Sequence, residues 1–304
     1  FLGKGVKLDT NLEITAESFK GKFVYAKPNF NYSDNTLFTS LKSSTSDFLT
    51  DSGYKTSEIG FSLGTRFEQF QNIFLSPEID FLIEDLETSS KASNTLKKQE
   101  GSYTDLYFNY SINQDLRDKK FRTESGYTTT FAQELPIISD SAELANQFEI
   151  SKFKKLSTTS DSVAKISFYG KTITGLSDDV RISKRLNVPS FRLRGFEKGK
   201  VGPIENNDYI GGNHVSTLNI SATLPKVVEG LDNLDIGIFF DAANVWGVDY
   251  DSSIDDKSTI RSSTGVALNL MTPIGPLSFS FSNALTKASS DITETFRFNL
   301  GTQF

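Results

Sequence analysis

The sequence predicts an all-β fold: a transmembrane, antiparallel, up-and-down β-barrel of about 16 strands, at roughly ten residues per strand plus turns. Apolar and polar residues alternate with period two in many short segments, and alternate side chains of a strand point to opposite faces. No apolar stretch reaches the roughly 18 residues that a spanning helix needs. The chain has 26 Phe and 10 Tyr but is only 37% hydrophobic, which suits a barrel with one lipid-facing side.

The two ends of the chain show this alternation clearly. The opening run, Val6 to Ile14, has apolar residues on one face and Lys7, Asp9, Asn11 and Glu13 on the other. The final run, Phe296 to Phe304, ends on an aromatic residue. Its apolar face carries Phe296, Phe298, Leu300 and Phe304, and its polar face carries Arg297, Asn299 and Gln303. Both runs are predicted to be strands with one face in lipid and one in water.

Similar runs lie between these ends, separated by turn-like breaks. Their apolar sets are Phe23 and Tyr25; Leu37 and Leu41; Ile59, Phe61, Leu63 and Phe67; Ile79, Phe81 and Ile83; Leu106, Phe108, Tyr110 and Ile112; Tyr127, Phe131 and Leu135; Phe148 and Ile150; Ala164, Ile166 and Phe168; Leu218, Ile220, Ala222 and Leu224; Leu234, Ile236, Ile238 and Phe240; Val266, Leu268 and Leu270; and Leu277, Phe279 and Phe281. Residues between them, such as Asp105 and Asn109, are too polar for a packed sandwich. Alternation alone still allows a soluble β-rich protein.

Two segments interrupt the pattern and are interpreted as loops. The first, Glu87 to Gly101, is rich in Ser, Lys and Asn, and the second, Gly175 to Asn213, is rich in Arg, Gly and Pro. A long loop with compact apolar and basic pieces is commonly functional. The charged residues within it, Asp178, Asp179, Arg181, Lys184 and Arg185, are interpreted as solvated.

Composition argues against several classes of function. The net charge of -6 and the lack of basic runs among aromatics argue against nucleic-acid binding. The chain has no cysteine and one histidine, His214, so neither a thiolate nor a multi-histidine metal site is predicted. There is no Ser-His-Asp pattern and no phosphate-binding glycine loop. No catalytic residue, cofactor or metal is therefore predicted, and the protein is not expected to be an enzyme.

Several motifs, in order, carry a family resemblance. They are Leu2-Gly3-Lys4-Gly5; Asp115-x-Arg117-Asp118 with Gly126; Phe191-Arg192-Leu193-Arg194-Gly195-Phe196; Val201-Gly202-Pro203; Gly211-Gly212-Asn213; Phe240-Asp241 with Val245-Trp246; Thr264 to Leu268; Met271 to Leu277; and Phe298 to Gly301. In this order and spacing the chain resembles the BamA family, which folds outer-membrane β-barrel proteins. The resemblance covers essentially the whole chain and implies the bacterial outer membrane.

The resemblance implies that the long extracellular loop folds into the lumen and that Arg194 anchors it to Asp241. Alternation independently places Asp241 opposite Phe240, on the inward face. Gly195 allows a sharp turn and Phe196 can wedge beside it. Asn219 stands where members often carry Glu, so the anchor there lacks a charge. Two further departures are Asn187 to Ser190 in place of a di-glycine, and Thr123 in place of proline.

The predicted function is insertion of client barrels through a lateral gate between the first and last strands. The predicted seam residues are Gly3, Gly5, Val6, Leu8, Leu12, Phe296, Phe298, Leu300, Gly301 and Phe304. Glycine weakens a strand, and a parted seam would offer unpaired backbone groups to a client strand. The alternatives are a translocation pore of the two-partner secretion type and a passive porin.

The resemblance also implies the partners and the domain plan. Residues 1–304 are expected to be one barrel domain, with a signal peptide and periplasmic POTRA domains lying outside this chain. The expected partners are nascent outer-membrane β-barrel proteins, accessory assembly lipoproteins reached through those domains, and the lipid bilayer. No nucleic acid is expected.

Overall fold

The computed structural model describes residues 5–120, 122–158, 161–224, 233–249, 254–272 and 275–300. The strands are β1 Lys7–Ile14, β2 Ser18–Lys27, β3 Thr36–Phe48, β4 Tyr54–Phe70, β5 Ile73–Thr88, β6 Gly101–Asp115, β7 Gly126–Ser139, β8 Glu143–Lys155, β9 Val163–Gly175, β10 Ile204–Glu205, β11 Asp208–Tyr209, β12 His214–Thr223, β13 Leu234–Trp246, β14 Arg261–Thr272, β15 Gly275–Thr286 and β16 Phe296–Leu300. One α-helical turn, α1 at Asn94–Lys97, and 3-10 turns at Phe30–Tyr32, Ile182–Lys184 and Ser190–Arg192 lie between strands. In these ranges no helix has the length and apolar character needed to cross a membrane.

Fourteen of the strands form one sheet in sequence order, β1 to β9 followed by β12 to β16. Every neighbouring pair is antiparallel. The predicted all-β, antiparallel, up-and-down fold is confirmed. The described strands total sixteen, but β10 and β11 pair only with each other, within the long loop. The sheet has fewer strands than the length suggested because β4 and β5 run for 17 and 16 residues.

The two faces of the sheet differ as the alternation predicts. On β4, the side chains of Ile59, Phe61 and Leu63 are exposed on the outer face. On the inner face, the buried hydroxyls of Ser40 and Ser62 bond each other across β3 and β4 at 2.7 Å. An apolar outer face with a polar, hydrogen-bonded inner face is the arrangement of a barrel in lipid.

The sheet curves around one segment, residues 176–213, which we call the lumen loop. Side-chain and backbone atoms of this loop contact inward residues from Glu58 on β4 to Arg297 on β16. Three of the longer connections, 89–100, 176–213 and 247–260, lie at the same end of the sheet, which is the extracellular end because outer-membrane barrels carry their longer loops there. The predicted long extracellular loop that folds into the lumen is therefore present.

Two of the apolar clusters formed by the described residues hold the lumen loop in the extracellular half. One joins loop residues to the walls of β12 and β13 and consists of Val188, Leu193, Phe196, Val201, Val215, Ala243 and Val245. The other lies under the extracellular connections and consists of Tyr54, Leu86, Ala92, Leu96, Ile182 and Ile210. We call the second cluster the apolar cap. Below the loop, a cavity of about 730 Å³ remains between the walls of β1 to β7.

Candidate functional site

The tip of the lumen loop is fixed by an ion pair between Arg194 and Asp241. The Arg194 Nε and Nη2 atoms donate to the two carboxylate oxygens at 2.7 and 2.8 Å, and the Arg194 backbone N–H donates to the same carboxylate at 3.2 Å. The guanidinium also lies over the Phe239 ring, 3.4 Å from its centroid. Asp241 is fully buried. A planar fork that binds both oxygens fixes orientation as well as distance, so this contact sets the loop tip against β13.

Asn219 completes the binding of this carboxylate. It is the register partner of Asp241 on the neighbouring strand β12. Its amide nitrogen donates to the Asp241 carboxylate at 2.8 Å and to the Arg192 carbonyl at 2.7 Å. The amide of Asn219 therefore acts as a hydrogen-bond donor to the carboxylate. A second carboxylate directly opposite Asp241 would repel it, whereas an amide supplies a hydrogen bond without adding negative charge.

Gly195 and Phe196, which follow Arg194, place the loop tip close against the wall of the sheet. Gly195 has φ +87, and an added Cβ would lie 3.1 Å from the Cβ of Ser282 and 3.2 Å from that of Ser263. The Ser263 hydroxyl donates to the Arg194 carbonyl. Only glycine combines this left-handed turn with so close an approach to the wall. Phe196 is 1% exposed and packs in the cluster on β12 and β13.

Arg181 forms a second attachment on the opposite wall. Its guanidinium contacts Glu143 at 3.1 Å, Glu84 at 3.2 Å and Asp105 at 2.5 Å, on strands β8, β5 and β6. It also lies over the Tyr103 ring, 4.4 Å from the centroid. Burial alone would lower the pKa of Arg181, but hydrogen bonds and charge attraction from the carboxylates raise it above its usual value. Arg181 is 1% exposed, so the solvated position expected for it from the sequence is wrong.

Arg185 is likewise buried rather than solvated. It contacts the Asp249 carboxylate at 2.6 Å, in the connection after β13. The Val180 N–H and the Asn213 amide donate to the other carboxylate oxygen at 3.0 and 2.9 Å. Burial alone would raise the pKa of Asp249, but these donors, with the charge of Arg185, hold it below its usual value. The base of the loop is therefore tied to the 247–260 connection.

A match across the chain identifies the family. Residues 1–304 match the Omp85 superfamily domain. The chain belongs to the Omp85 superfamily. The outer membrane protein assembly factor BamA of Neisseria meningitidis serogroup B is 31% identical over 37% of this chain, and that of Neorickettsia risticii is 25% identical over 70% of it. This chain spans 17% and 29% of the lengths of these two curated relatives.

Solved structures share the Omp85 fold seen here. BamA from Haemophilus ducreyi lacking POTRA domains 1-3 superposes with a TM-score of 0.83 at 20% identity, covering 98% of this chain and 64% of that one. CdiB from Acinetobacter baumannii superposes with a TM-score of 0.54 at 11% identity, covering 97% of this chain and 60% of that one. The family, the relatives and the fold place this Omp85 domain in the bacterial outer membrane.

The predicted seam residues lie at the two edges of the Omp85 sheet. In the described residues β1 pairs with β2 and β16 pairs with β15, so β1 and β16 end the strand order. The side chains of Leu8, Leu12, Phe296 and Phe298 are exposed on the outer face. Gly5 and Val6 precede β1, and Leu300 is the last described residue of β16. Gly3, Gly301 and Phe304 lie outside the described residues. The seam itself stays a prediction.

His214 begins β12 and has a packing environment. Its ring centroid lies 5.5 Å from that of Trp246, its register partner on β13. An added Cβ at Gly247 would lie 2.8 Å from the His214 ring, so the following turn packs closely against it. The half-buried His214 ring therefore packs between Trp246 and the turn at Gly247, at the junction of the loop and β12.

Proposed function

We propose that this Omp85 domain assembles client β-barrel proteins by pairing their strands at the edges of its own sheet. One observation carries the proposal: the lumen loop is attached to two walls of the sheet. Arg194 binds Asp241 on β13, and Arg181 binds carboxylates on β5, β6 and β8. A lumen that holds a loop attached in this way is a poor passage. The sheet edges remain as the surfaces that can act on a client.

The chemistry of an edge in lipid supports this role. A strand edge has unpaired N–H and C=O groups, and each unsatisfied group in hydrocarbon costs several kcal/mol. A client strand satisfies them by β-augmentation, without a nucleotide or cofactor. In the proposed cycle, the seam between β1 and β16 parts, a client strand pairs with an exposed edge, and further client strands add to it. The outward apolar side chains of both edges keep the seam in the bilayer.

The proposed partners follow from this role. They are nascent outer-membrane β-barrel proteins, accessory lipoproteins reached through periplasmic domains, and the surrounding lipid. The curated relatives of this chain are named outer membrane protein assembly factors, which supports the same proposal.

The two pore alternatives require the lumen loop to leave the lumen. A passive porin needs a continuous water path, but in the described residues the apolar cap packs Ile182 and Ile210 of the loop against the extracellular ends of β4 and β5. A translocation pore of the two-partner secretion type would have to break both ion-pair attachments. The likeness to CdiB concerns the fold alone, so insertion at the edge remains the function that we propose.

Disulfide locking tests the seam in the full-length protein. This chain has no cysteine, so the engineered pairs have no competing thiol within these 304 residues. Leu8→Cys is combined in turn with cysteine at Phe296, Phe298 or Leu300, which share the apolar face of the last strand in the sequence, because cysteines on opposite faces cannot be bridged. Folding of a client barrel in proteoliposomes is followed by its heat-modifiable mobility. The control pair is Phe279→Cys with Phe298→Cys, which joins register partners of β15 and β16 whose rings lie 5.1 Å apart.

We expect one β1–β16 pair to form a disulfide and to stop client folding until it is reduced, while the control pair folds clients at the wild-type rate. Full client folding with the β1–β16 pair completely oxidised would overturn the gate. Failure of every β1–β16 pair to oxidise would show that these edges are not neighbours and would overturn the seam.

A further inference from the structure

The lumen loop pairs with the connection that leads into the last strand. Phe196 forms an antiparallel bridge with Thr293. The Glu197 N–H donates to the Ile292 carbonyl at 3.0 Å, and the Ile292 N–H donates to the Lys200 carbonyl at 3.2 Å. The segment that follows the Arg194 tip therefore forms one side of a short β-ladder, and the connection between β15 and β16 forms the other side.

Arg297 adds a contact from within β16. Its guanidinium donates to the Phe196 carbonyl at 2.5 Å and to the Ser190 carbonyl. These two carbonyls lie on either side of the Arg194 tip in sequence. The Arg297 side chain is only 10% exposed, and its register partner is Ser280 on β15. A guanidinium has donors in several fixed directions, so one side chain can bind both carbonyls at once.

Separating Arg297 of β16 from the loop carbonyls of Ser190 and Phe196 removes hydrogen bonds from buried polar groups. If β16 moves away from the loop, the two carbonyls lose their charged donor. If the loop moves away, the nearly buried guanidinium loses both carbonyl acceptors and, in the described part of the chain, keeps only its ion pair with Glu294. A buried polar group that loses its partner costs more than the net gain of forming the bond, so the two movements favour each other.

We propose that Arg297 is a positioning residue that couples the last strand of the sheet to the tip of the lumen loop. Displacing the strand loosens the loop, and releasing the loop loosens the strand. The consequence for clients rests on the proposed function: an edge strand that clients pair with would be held in place by the loop. The coupling itself is a property of the chain without any client.

Hydrogen exchange of the full-length protein in nanodiscs, without client, tests the coupling. The variants are Arg297→Gln, which removes the charge and the fork, and Arg297→Lys, which keeps the charge. Arg66→Gln is the matched control, because Arg66 faces the periplasmic cavity on β4, with its guanidinium 4.9 Å from the Phe74 ring centroid. Exchange is read at the amides of Glu197 and Ile292 and along β16. Heat-modifiable mobility reports that each variant is folded.

We expect Arg297→Gln to speed exchange at Glu197 and Ile292 roughly tenfold, as expected for losing hydrogen bonds from a charged donor. Arg297→Lys should have a smaller effect and Arg66→Gln none. Because coupling is reciprocal, Arg194→Ala, on the loop side, should speed exchange in β16.

Faster exchange in β16 alone, with Glu197 unchanged in Arg297→Gln, would overturn the coupling. So would unchanged β16 exchange in Arg194→Ala, which tests the proposal even if the Arg297 variants do not fold. Since no client is present, these outcomes are independent of disulfide locking at the seam: the coupling can fail while the gate stands, and the gate can fail while the coupling stands.

Discussion

Replacing Arg181 by methionine should release the base of the lumen loop. The change leaves three carboxylates, those of Glu84, Asp105 and Glu143, buried without their cation, since these side chains are between 0 and 3% exposed. Breaking a buried ion pair by removing one partner costs about 3–5 kcal/mol. A cost of about 4 kcal/mol corresponds to an increase of nearly a thousandfold in the population with the loop released.

Limited digestion with proteinase K measures this population, because the loop is cleaved only when it leaves the lumen. The matched control is Lys184→Met, which removes a cation three residues away whose contact with Glu58 is 3.9 Å long and partly exposed. A partly exposed pair of this kind is worth about 0–1 kcal/mol, so its digestion should stay near the wild-type rate. Neutralising the carboxylates as well, with Glu84→Gln, Asp105→Asn and Glu143→Gln, should restore part of the protection. Digestion of Arg181→Met at the wild-type rate would refute the assignment of Arg181 as an attachment of the loop.

Three further predictions concern the tip and the base of the loop. Arg194→Ala should impair client folding and expose the loop to protease, whereas Arg194→Lys should rescue only in part because a point charge lacks the fork; wild-type behaviour of both variants would contradict the anchor. Gly195→Ala should speed loop proteolysis more than Gly199→Ala, because both have positive φ but only the Cβ at 195 meets the wall, and equal effects would show that the close approach costs nothing. Because the pKa of Asp249 is lowered in the folded state, its ionised carboxylate stabilises that state above the usual carboxyl range, and this contribution is lost as the pH falls through the lowered pKa. Protection of the loop from protease should therefore fall more steeply with acid in the wild type than in Asp249→Asn. Parallel pH profiles of the two proteins would argue against this linkage.

Alternation in the sequence was enough to predict the strands, because lipid and water demand different side chains on the two faces of each strand. The polar residues of β6, including Asp105, were correctly placed on the inward face. The number of strands in the sheet was less predictable, since strand length varies from five described residues in β16 to 17 in β4. Nothing in a local pattern distinguishes a strand of the sheet from the short hairpin of β10 and β11.

The loop attachments were predictable only in part. The tip was found through the Arg-Gly-Phe motif and the inward position of Asp241. Arg181 was missed because its partners lie 38, 76 and 97 residues earlier in the chain, and because neighbouring acidic residues made a solvated cluster the simpler interpretation. The signal that could have found it is the set of acidic residues at inward positions of several strands, which require a buried cation. Arg297 binds backbone carbonyls, and these have no signature in the sequence.

Site-specific photocrosslinking during client assembly tests the central claim most directly. A photoreactive residue is placed in the full-length protein at Leu8 on β1 or at Phe298 on β16, and at the control positions Phe168 on β9 and Ile220 on β12, which are also exposed on the outer face. If clients assemble at the edges of the sheet, a stalled client should crosslink at Leu8 or Phe298 and not at the controls. Equal crosslinking at all four positions, or crosslinking only at residues that line the lumen, would contradict assembly at the sheet edge.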